Sequence, residues 1–473
     1  MVKRPATYII AAVVVIAAVV TVIVATRGNS TKSTVTTTTS GAGAGTISPA
    51  VLANALSVKT VPASALNMGG SSFDANLVNA AYAQWRGLHA NNASSLNAYQ
   101  SSSSGTGRSG VVAATPSINI GFSDVPLNYA GQDVSDTTRF VQVPVALGGV
   151  SIIANIRFKT STTVSNKYGT ATTSNPTSSG QTCAALASAY PVTLDGTTLG
   201  GIFAGSLTSW SNAAIVTQNP HLQVQVKVPV SGTSRLESVN CLTLTTTTSI
   251  TVDSRTSGSG TTFIFRDYLA KVDPTEFPTA SSAAFGAASA TFSNSALLAP
   301  AVAGHDGSIG YVEYGYALQN HLVSLRLTNA AGVTVSLTAA SVSAAATAGL
   351  AAINADSSCV GGFSAAGSTT YTATLVNTRC FSLTNVNSTS AYPIAGFSYA
   401  IVPKTITDAA AATVTTKFLL FLSQSGAGTN SSTTFGQNLA AAQAYVALPT
   451  ANQVVAAGLI GQINGGAELN ATN

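Results

Sequence analysis

Charged side chains are scarce in this sequence: 7% of its 473 residues are Asp, Glu, Lys or Arg, against roughly a quarter in an average soluble domain. The hydrophobic fraction is 45%, so the composition does not predict disorder. Ser, Thr, Asn and Gln must therefore cover most of the surface, which we interpret as the surface of a protein outside the cell. The length allows one large domain or two ordinary ones.

The chain also lacks a basic face, although its formal net charge is +5. Lys3, Arg4, Arg27 and Lys32 lie in the first 46 residues, which contain no acid, and the remaining 16 basic and 15 acidic residues nearly cancel. Nucleic-acid binding needs clustered positive charge. We therefore expect no nucleic-acid partner.

The one long hydrophobic run is at the N-terminus, where Pro5 to Thr26 are 22 uncharged, mostly apolar residues between basic flanks. This length is sufficient to cross a bilayer. It predicts a membrane anchor over residues 1–27, with a cleaved signal peptide as the alternative. In either case the basic flank directs the rest of the chain outward. Residues 28–46 are rich in Ser, Thr and Gly, which is typical of a linker.

Cysteine is rare too, with four in the chain: Cys183, Cys241, Cys359 and Cys380. An even number in an exported protein suggests two disulfides, for which three pairings exist. Proximity in sequence favours Cys183–Cys241 and Cys359–Cys380, and four free thiols are the alternative. Neither the cysteines nor the four histidines have metal-ligand or catalytic spacing. We expect no metal, no cofactor and no enzyme activity.

Apolar periodicity predicts both helices and strands from about residue 47 onward, and hence an α/β protein. In the first predicted helix, the pattern places Leu77, Ala81, Trp85 and Leu88 on one face. Two Thr/Ser-rich stretches, Lys159–Gln181 and Ser231–Thr248, lack clear periodicity and are interpreted as insertions held by a disulfide. The predicted helices are Asp74–Leu88, Thr261–Val272 and Leu439–Val446, and the predicted strands are Ser117–Phe122, Phe140–Val145 and Val150–Ile156.

Three Gly/Ser segments, residues 69–73, 99–107 and 255–262, each precede a predicted helix or a possible helix start. Backbone N–H groups at a helix start, hydroxyls and one fixed cation are what a protein with little net charge offers to a small oxyanion. The third segment supplies the cation, Arg255. Each segment alone is ordinary loop chemistry.

Asp124 follows a predicted strand, and its ordinary interpretation is a turn residue. Beside a bound oxyanion, however, a carboxylate accepts a hydrogen bond from protonated phosphate and repels sulfate.

These segments occur in the order and spacing of a known family. GGSSFDANLVNAAYAQW, LNAYQSSSSGTG, INIGFSDVPL, FVQVPVALGGVSIIANI, LDGTTLGGIFAGSLTSWSNAAIVTQNP, ITVDSRTSGSGTTFIFRDYLAKV, GSIGYVEYGYALQN and YPIAGFSYAIV follow one another along the chain. Together they resemble the phosphate-binding proteins of high-affinity phosphate ABC transporters.

The resemblance implies a two-lobed periplasmic-binding-protein fold of type II, with hinge strands and a ligand cleft. The first lobe would comprise residues 47–148 and 396–473, and the second residues 149–395. The implied partners are inorganic phosphate, the permease of an ABC importer and, through the N-terminal helix, the cytoplasmic membrane. The implied phosphate ligands are Ser72, Phe73 (through its backbone), Ser104, Asp124, Arg255, Ser259, Gly260 and Thr261.

The sequence departs from the family pattern at three places. Ser257 replaces an acidic residue that commonly pairs with the arginine, which leaves Arg255 freer to bring positive charge into the cleft. Ser72 replaces a threonine, and Ser103 replaces a glycine. These changes put the identity of the anion in question. A receptor for another oxyanion and a surface structural or adhesive protein on the same fold are the alternative functions. Glu313 is expected to support the second lobe rather than act as a base.

Overall fold

The computed structural model describes residues 61–89, 95–127, 139–166, 169–174, 177–178, 181–230, 233–355, 382–426 and 435–467. All of them belong to one unit of the chain, residues 42–473. Within these ranges no helix is both long enough and apolar enough to cross a bilayer. The predicted anchor, the linker and the predicted Cys359–Cys380 disulfide lie outside the described residues.

The strands of the described part are, in chain order, β1 (Met68–Gly70), β2 (Gln100–Ser101), β3 (Ile120–Ser123), β4 (Phe140–Ala154), β5 (Ser161–Asn166), β6 (Gly169–Ser174), β7 (Thr177–Ser178), β8 (Gln181–Thr182), β9 (Thr193–Leu194), β10 (Gln223–Val230), β11 (Thr233–Asn240), β12 (Thr251–Arg255), β13 (Ala290–Phe292), β14 (Ser308–Glu313), β15 (Arg326–Thr328), β16 (Thr334–Val335) and β17 (Ala395–Pro403).

The α-helices of the same part are α1 (Ala75–Leu88), α2 (Ser104–Val112), α3 (Cys183–Ala189), α4 (Gly196–Ala204), α5 (Ala213–Gln218), α6 (Gly260–Val272), α7 (Ser295–Gly304), α8 (Tyr314–Gln319), α9 (Ala339–Ala355), α10 (Ala409–Ser423) and α11 (Thr450–Ile460). Strands and helices are mixed throughout, as the sequence predicts for an α/β protein.

The main sheet has eight strands in the order β13-β12-β14-β4-β17-β3-β1-β2. Its two ends are parallel: β1 pairs in parallel with β2 and β3, and β12 pairs in parallel with β13 and β14. The centre is antiparallel, because β4 pairs antiparallel with both β14 and β17, and β17 pairs antiparallel with β3. Two parallel halves are thus joined through β4 and β17. Ligands of such sheets gather at the carboxyl ends of the parallel strands.

The strand β4 belongs to both halves. It pairs with β17 over residues 140–149 and with β14 over residues 150–154. The sequence predicts two strands here, but Gly148 and Gly149 continue a single one. A Cβ on Gly149 would lie 2.3 Å from a Leu337 methyl, and one on Gly148 would lie 3.0 Å from the Phe73 ring. The two glycines therefore let the core pack directly on the strand where its partner changes.

The first two predicted helices are confirmed as α1 and α6. Trp85 of α1 is buried and packs edge-on against Phe418 and Phe421 of α10, with ring centroids 5.6 and 5.7 Å apart. Leu77 and Ala81 are also buried, whereas Leu88 at the last position is 38% exposed. The predicted apolar face thus holds except at the helix end.

The Thr/Ser-rich stretches contain strands as well as loops. The hairpin β5–β6 and the strand β7 lie in the first stretch, β8 begins at its last residue, and β11 lies in the second. A separate sheet has the order β11-β10-β7-β8. The disulfide Cys183–Cys241 is formed, as predicted, and joins the first residue of α3 to the turn that follows β11.

The predicted helix Leu439–Val446 is wrong. Two short 3-10 turns, Gly436–Leu439 and Ala441–Gln443, occupy this region, and Ala444 has the left-handed φ of 62° that ends them. The α-helix comes later as α11, directly after Pro449. Proline lacks an N–H but has the φ of a helix start, so it marks this boundary better than the alanines do.

Candidate functional site

The first wall of the candidate site consists of residues 71–73, 102–104 and 124, which follow β1, β2 and β3. Ser71 Oγ accepts from the Phe73 backbone N at 2.9 Å and donates to Asp124 Oδ2 at 2.7 Å. Ser104 Oγ donates to Asp124 Oδ2 at 3.2 Å and also lies 3.0 Å from the Asp124 backbone N. The Asp124 carboxylate is therefore held by hydroxyls.

Burial of Asp124, whose exposed fraction is 3%, raises the pKa of its carboxyl to about 7. The nearby charge of Glu313 contributes to this raised pKa, whereas hydroxyl hydrogen bonds from Ser398, Ser71 and Ser104 oppose the rise. A carboxyl group that titrates near neutrality is a donor in acid and only an acceptor in base. The first wall thus changes its hydrogen-bonding character close to pH 7.

A second buried carboxyl group lies behind the first wall. Asp74 stands at the start of α1 but makes no capping bond with its side chain. Instead it accepts from the Tyr99 hydroxyl at 3.0 Å and from Ser398 Oγ at 2.8 Å. Burial and the charge of Asp124 raise the pKa of Asp74 well above its usual range. The two acids therefore disfavour ionising together.

The second wall comprises Arg255, residues 259–261, Ser295 and Glu313. Arg255, the last residue of β12, is 1% exposed. Among the described residues, the hydrogen-bond partners of its side chain are hydroxyls and carbonyls, and the Glu313 carboxyl group is linked to it only through the Thr261 hydroxyl. Nη1 donates to Ser72 Oγ (2.8 Å), Ser295 Oγ (3.0 Å) and Thr261 Oγ1 (3.5 Å), Nη2 donates to the Ser102 and Ser293 carbonyls (3.2 and 2.9 Å), and Nε donates to the Phe292 carbonyl (3.3 Å).

Ser257, at a position where the resemblance implies an acid, is exposed. Its hydroxyl accepts from the Ala284 backbone N at 3.4 Å.

The start of α6 completes the second wall. Ser259 caps the helix, because its Oγ accepts from Thr262 N at 3.2 Å. Thr261 Oγ1 donates to Glu313 Oε1 at 2.6 Å. Glu313 ends β14 and is 1% exposed. The helix start and the strand end are thus joined by one short side-chain hydrogen bond.

The two walls are in direct contact. A Cβ on Gly260 would lie 2.1 Å from Ser104 Oγ and 2.3 Å from Asp124 Oδ2, so only glycine fits between them. The Gly105 backbone N donates to the Gly258 carbonyl at 2.9 Å. Together with the bond from Arg255 to the first wall, these contacts describe a closed arrangement.

The predicted ligand residues come together at this contact. Ser104 and Asp124 meet Gly260, and Ser72 meets Arg255, which also reaches Thr261. Ser259 lies next to Gly260 at the helix start. The Phe73 backbone N, expected to face the ligand, donates to Ser71 Oγ. That these residues bind an anion stays a prediction, and their proximity supports it.

Sequence reasoning missed three polar members of the site. Ser71 lies inside the first Gly/Ser segment, where the sequence predicts Ser72 as the ligand. Ser295 begins α7 after the capping residue Asn294, a Ser/Asn start of the same kind as the others. Glu313 was predicted to have a structural role, since a lone acid at a strand end gives no sign of its neighbours.

A family model described as the PBP superfamily domain matches residues 26–425. The phosphate-binding protein PstS of Xylella fastidiosa is 30% identical over 335 residues, which cover 69% of this chain and 70% of the relative. The PstS protein of Haemophilus influenzae is 27% identical, covering 59% of this chain and 67% of the relative.

A solved structure, the phosphate-binding protein from Stenotrophomonas maltophilia, is 17% identical with a TM-score of 0.48, covering 83% of this chain and 93% of that one. The family model and the Xylella relative carry the assignment, and they support the expectation of a binding protein rather than an enzyme. The chain therefore belongs to the PBP superfamily and, within it, to the family of PstS phosphate-binding proteins.

Proposed function

We propose that this protein captures inorganic phosphate between its two walls and delivers it to an ABC importer. The observation that carries the proposal is the guanidinium of Arg255, which is buried and hydrogen-bonded only to neutral oxygens among the described residues. A buried cation without a directly bonded carboxylate favours an anionic ligand. The PstS relatives supply the identity of that anion.

The ligand would take over hydrogen bonds that the walls now make with each other. Ser72 Oγ and Thr261 Oγ1 are both within reach of Arg255 Nη1. The first N–H groups of α6, next to Ser259 and Gly260, carry the positive end of a 13-residue helix dipole. An oxyanion at this place would therefore receive donors from both walls.

Asp124 favours phosphate over sulfate as the ligand of the site. Its carboxyl group faces Gly260 at the contact between the walls. When ionised, it accepts a hydrogen bond from a P–OH group, which sulfate lacks at neutral pH. Sulfate would bring a second anion beside the ionised carboxylate without donating a hydrogen bond to it, at a cost of roughly 1–3 kcal/mol or more.

Closure would bend the chain where β4 and β17 cross between the halves. We propose that residues 47–148 and 396–473 form the first lobe and residues 149–395 the second. The change of partner along β4 falls between Gly149 and Val150, at this boundary. A ligand held by both walls stabilises the closed state by its differential affinity.

We also propose that residues 1–27 anchor the protein to the cytoplasmic membrane, with residues 28–46 as a linker that leaves the lobes outside. The apolar run from Pro5 to Thr26 supports the proposal. An extracytoplasmic receptor would meet phosphate before the permease does. Retention of the protein in washed membranes, and its release when residues 1–27 are deleted, would test the anchor.

The test of the function is calorimetric titration of the protein with phosphate, with sulfate as competitor. We expect tight binding that sulfate does not displace and that Arg255→Ala abolishes. Arg235→Ala is the matched control, because Arg235 is a surface arginine whose side chain is 62% exposed. Absence of phosphate binding in a folded, ligand-free sample would reject the receptor and favour the surface structural alternative. Displacement by sulfate would favour another oxyanion.

A further inference from the structure

Glu313 is a buried carboxylate with only one of its oxygens satisfied. Oε1 accepts from Thr261 Oγ1 at 2.6 Å. Oε2 is buried and has no hydrogen-bond partner among the described residues. A buried charged acceptor without a partner carries a desolvation penalty of roughly 1–3 kcal/mol or more. The hydrogen bond from Thr261 is therefore the one that offsets the burial of this carboxylate among the described residues.

The titratable surroundings of Glu313 are mostly acidic or phenolic, with one cation. Its strand neighbour on β4 is the uncharged Val150. Asp124 lies close enough that the charge of Glu313 raises the pKa of Asp124. The phenols Tyr316 and Tyr445 also face this region, and burial and the charge of Glu313 raise their pKa values. The charge of Asp74 acts on the same two phenols. The cation is Arg255, whose Nη1 is 3.5 Å from Thr261 Oγ1.

The hydroxyl of Thr261 has one proton, and two acceptors would compete for it. In the closed arrangement Glu313 receives it. An oxyanion between the walls would need the same proton, because Thr261 lies beside Arg255 and Gly260 at the predicted site. If the hydroxyl turned to the anion, both Glu313 oxygens would be unpartnered close to an additional negative charge. Such a state is strongly unfavourable in a buried site.

We propose that Glu313 takes up a proton when the anion binds, so that its hydrogen bond with Thr261 reverses. The inference deepens the proposed phosphate function and rests on it. The proton comes from solvent and forms an O–H bond on Glu313, which then donates to Thr261 Oγ1. The Thr261 hydroxyl rotates and donates to the anion. No other covalent bond forms or breaks, and Glu313 is a positioning residue acting through Thr261.

The experiment is calorimetric titration with phosphate at about pH 8, where Asp124 is ionised, in two buffers that differ in ionisation enthalpy. The difference in apparent heat gives the number of protons taken up per phosphate. We expect Glu313→Gln to lower this number by about one, because the amide NH2 donates to Thr261 permanently. We also expect the affinity of the wild type to fall with rising pH more steeply than that of the variant, by up to roughly tenfold per pH unit.

Glu276→Gln is the matched control, since Glu276 is exposed, and it should leave the proton number unchanged. Thr261→Val removes the hydroxyl that lies between Glu313 and the anion. It should weaken binding and lower the proton number as Glu313→Gln does. Equal proton numbers in the wild type and Glu313→Gln would overturn the inference alone. Lack of phosphate heat in every protein would overturn the proposed function, and the inference with it. A purely structural Glu313 would change thermal stability without changing the proton number.

Discussion

The two walls of the site differ in what they hold fixed. In the first wall a carboxyl group, Asp124, is surrounded by serine hydroxyls. In the second wall a guanidinium, Arg255, is surrounded by hydroxyls and carbonyls. Asp124 and Arg255 are thus kept in separate walls instead of forming an ion pair, and Glu313, the acid of the second wall, is linked to Arg255 only through the Thr261 hydroxyl. A ligand with both a proton to donate and a negative charge fits such a site. A buried salt bridge between the two groups would instead leave neither of them available to the ligand.

The strongest way to break this arrangement is to separate the walls. A Cβ on Gly260 would overlap Ser104 Oγ and Asp124 Oδ2, so Gly260→Ala should block closure and weaken phosphate binding by roughly a hundredfold or more, about 2.7 kcal/mol. Calorimetry measures the affinity. Gly286→Ala is the control, because a Cβ there meets no atom within 4 Å. Equal affinities of the two variants would contradict the closed site.

A change in the first wall alone tests its acceptor. Asp124→Asn replaces the carboxyl group with an amide that can donate, so sulfate should bind more tightly and the preference for phosphate should fall by roughly tenfold to a hundredfold. The readout is the ratio of the two affinities above pH 7. An unchanged ratio would show that Asp124 does not discriminate.

The same acid predicts how the stability of the unliganded protein depends on pH. Because the pKa of Asp124 rises from 3.8 to about 7 on folding, the folded state binds this proton more tightly than the unfolded state. The contribution of Asp124 to stability should therefore fall as the pH rises from about 4 to about 7, by on the order of a few kcal/mol. Asp124→Asn should make the melting temperature fall less over this range, and Asp74, whose pKa burial also raises, accounts for the fall that remains. A melting temperature of the wild type that rises with pH would contradict the assignment.

The smallest expected effect comes from a single substitution in the second wall, which tests how the guanidinium is oriented. Ser295→Ala removes one hydroxyl that accepts from Arg255 Nη1 at 3.0 Å, while Ser72 and Thr261 remain. We expect a loss of phosphate affinity of roughly threefold to tenfold, near 1 kcal/mol. Ser109→Ala, at an exposed position of α2, should have no effect. If both variants bind equally well, Ser295 does not orient the guanidinium.

The sequence predicts those parts of the site in which neighbours along the chain define the chemistry. Ser259, Gly260 and Thr261 form a helix start, and this pattern is visible in any strand–loop–helix segment. The link from Thr261 to Glu313 is different, because it spans 52 residues. Periodicity and capping are local signals, so a pair that is brought together only by the sheet order leaves no trace in them.

The fold shows the same limit. The strand β10 alternates clearly, with Val224, Val226 and Val228 buried. Its partner β11 does not, since Leu236 is 57% exposed, and this explains why its Thr/Ser-rich stretch gave no strand pattern. Tertiary packing, not the intrinsic preference of the segment, makes it a strand.

The pairing of β4 with β17 joins residues 140–149 to residues 395–403 and has a consequence for how the chain is made. The Tyr392 hydroxyl donates to the Val150 carbonyl 242 residues earlier, and the Gln437 side chain donates to the Val145 carbonyl 292 residues earlier. During synthesis, β4 must wait for most of the chain before its partner β17 leaves the ribosome. The half of the sheet with β12 to β14 is then complete well before the half with β1 to β3. Folding should therefore be slow and ordered, and β4 is the edge that needs protection from aggregation until synthesis ends.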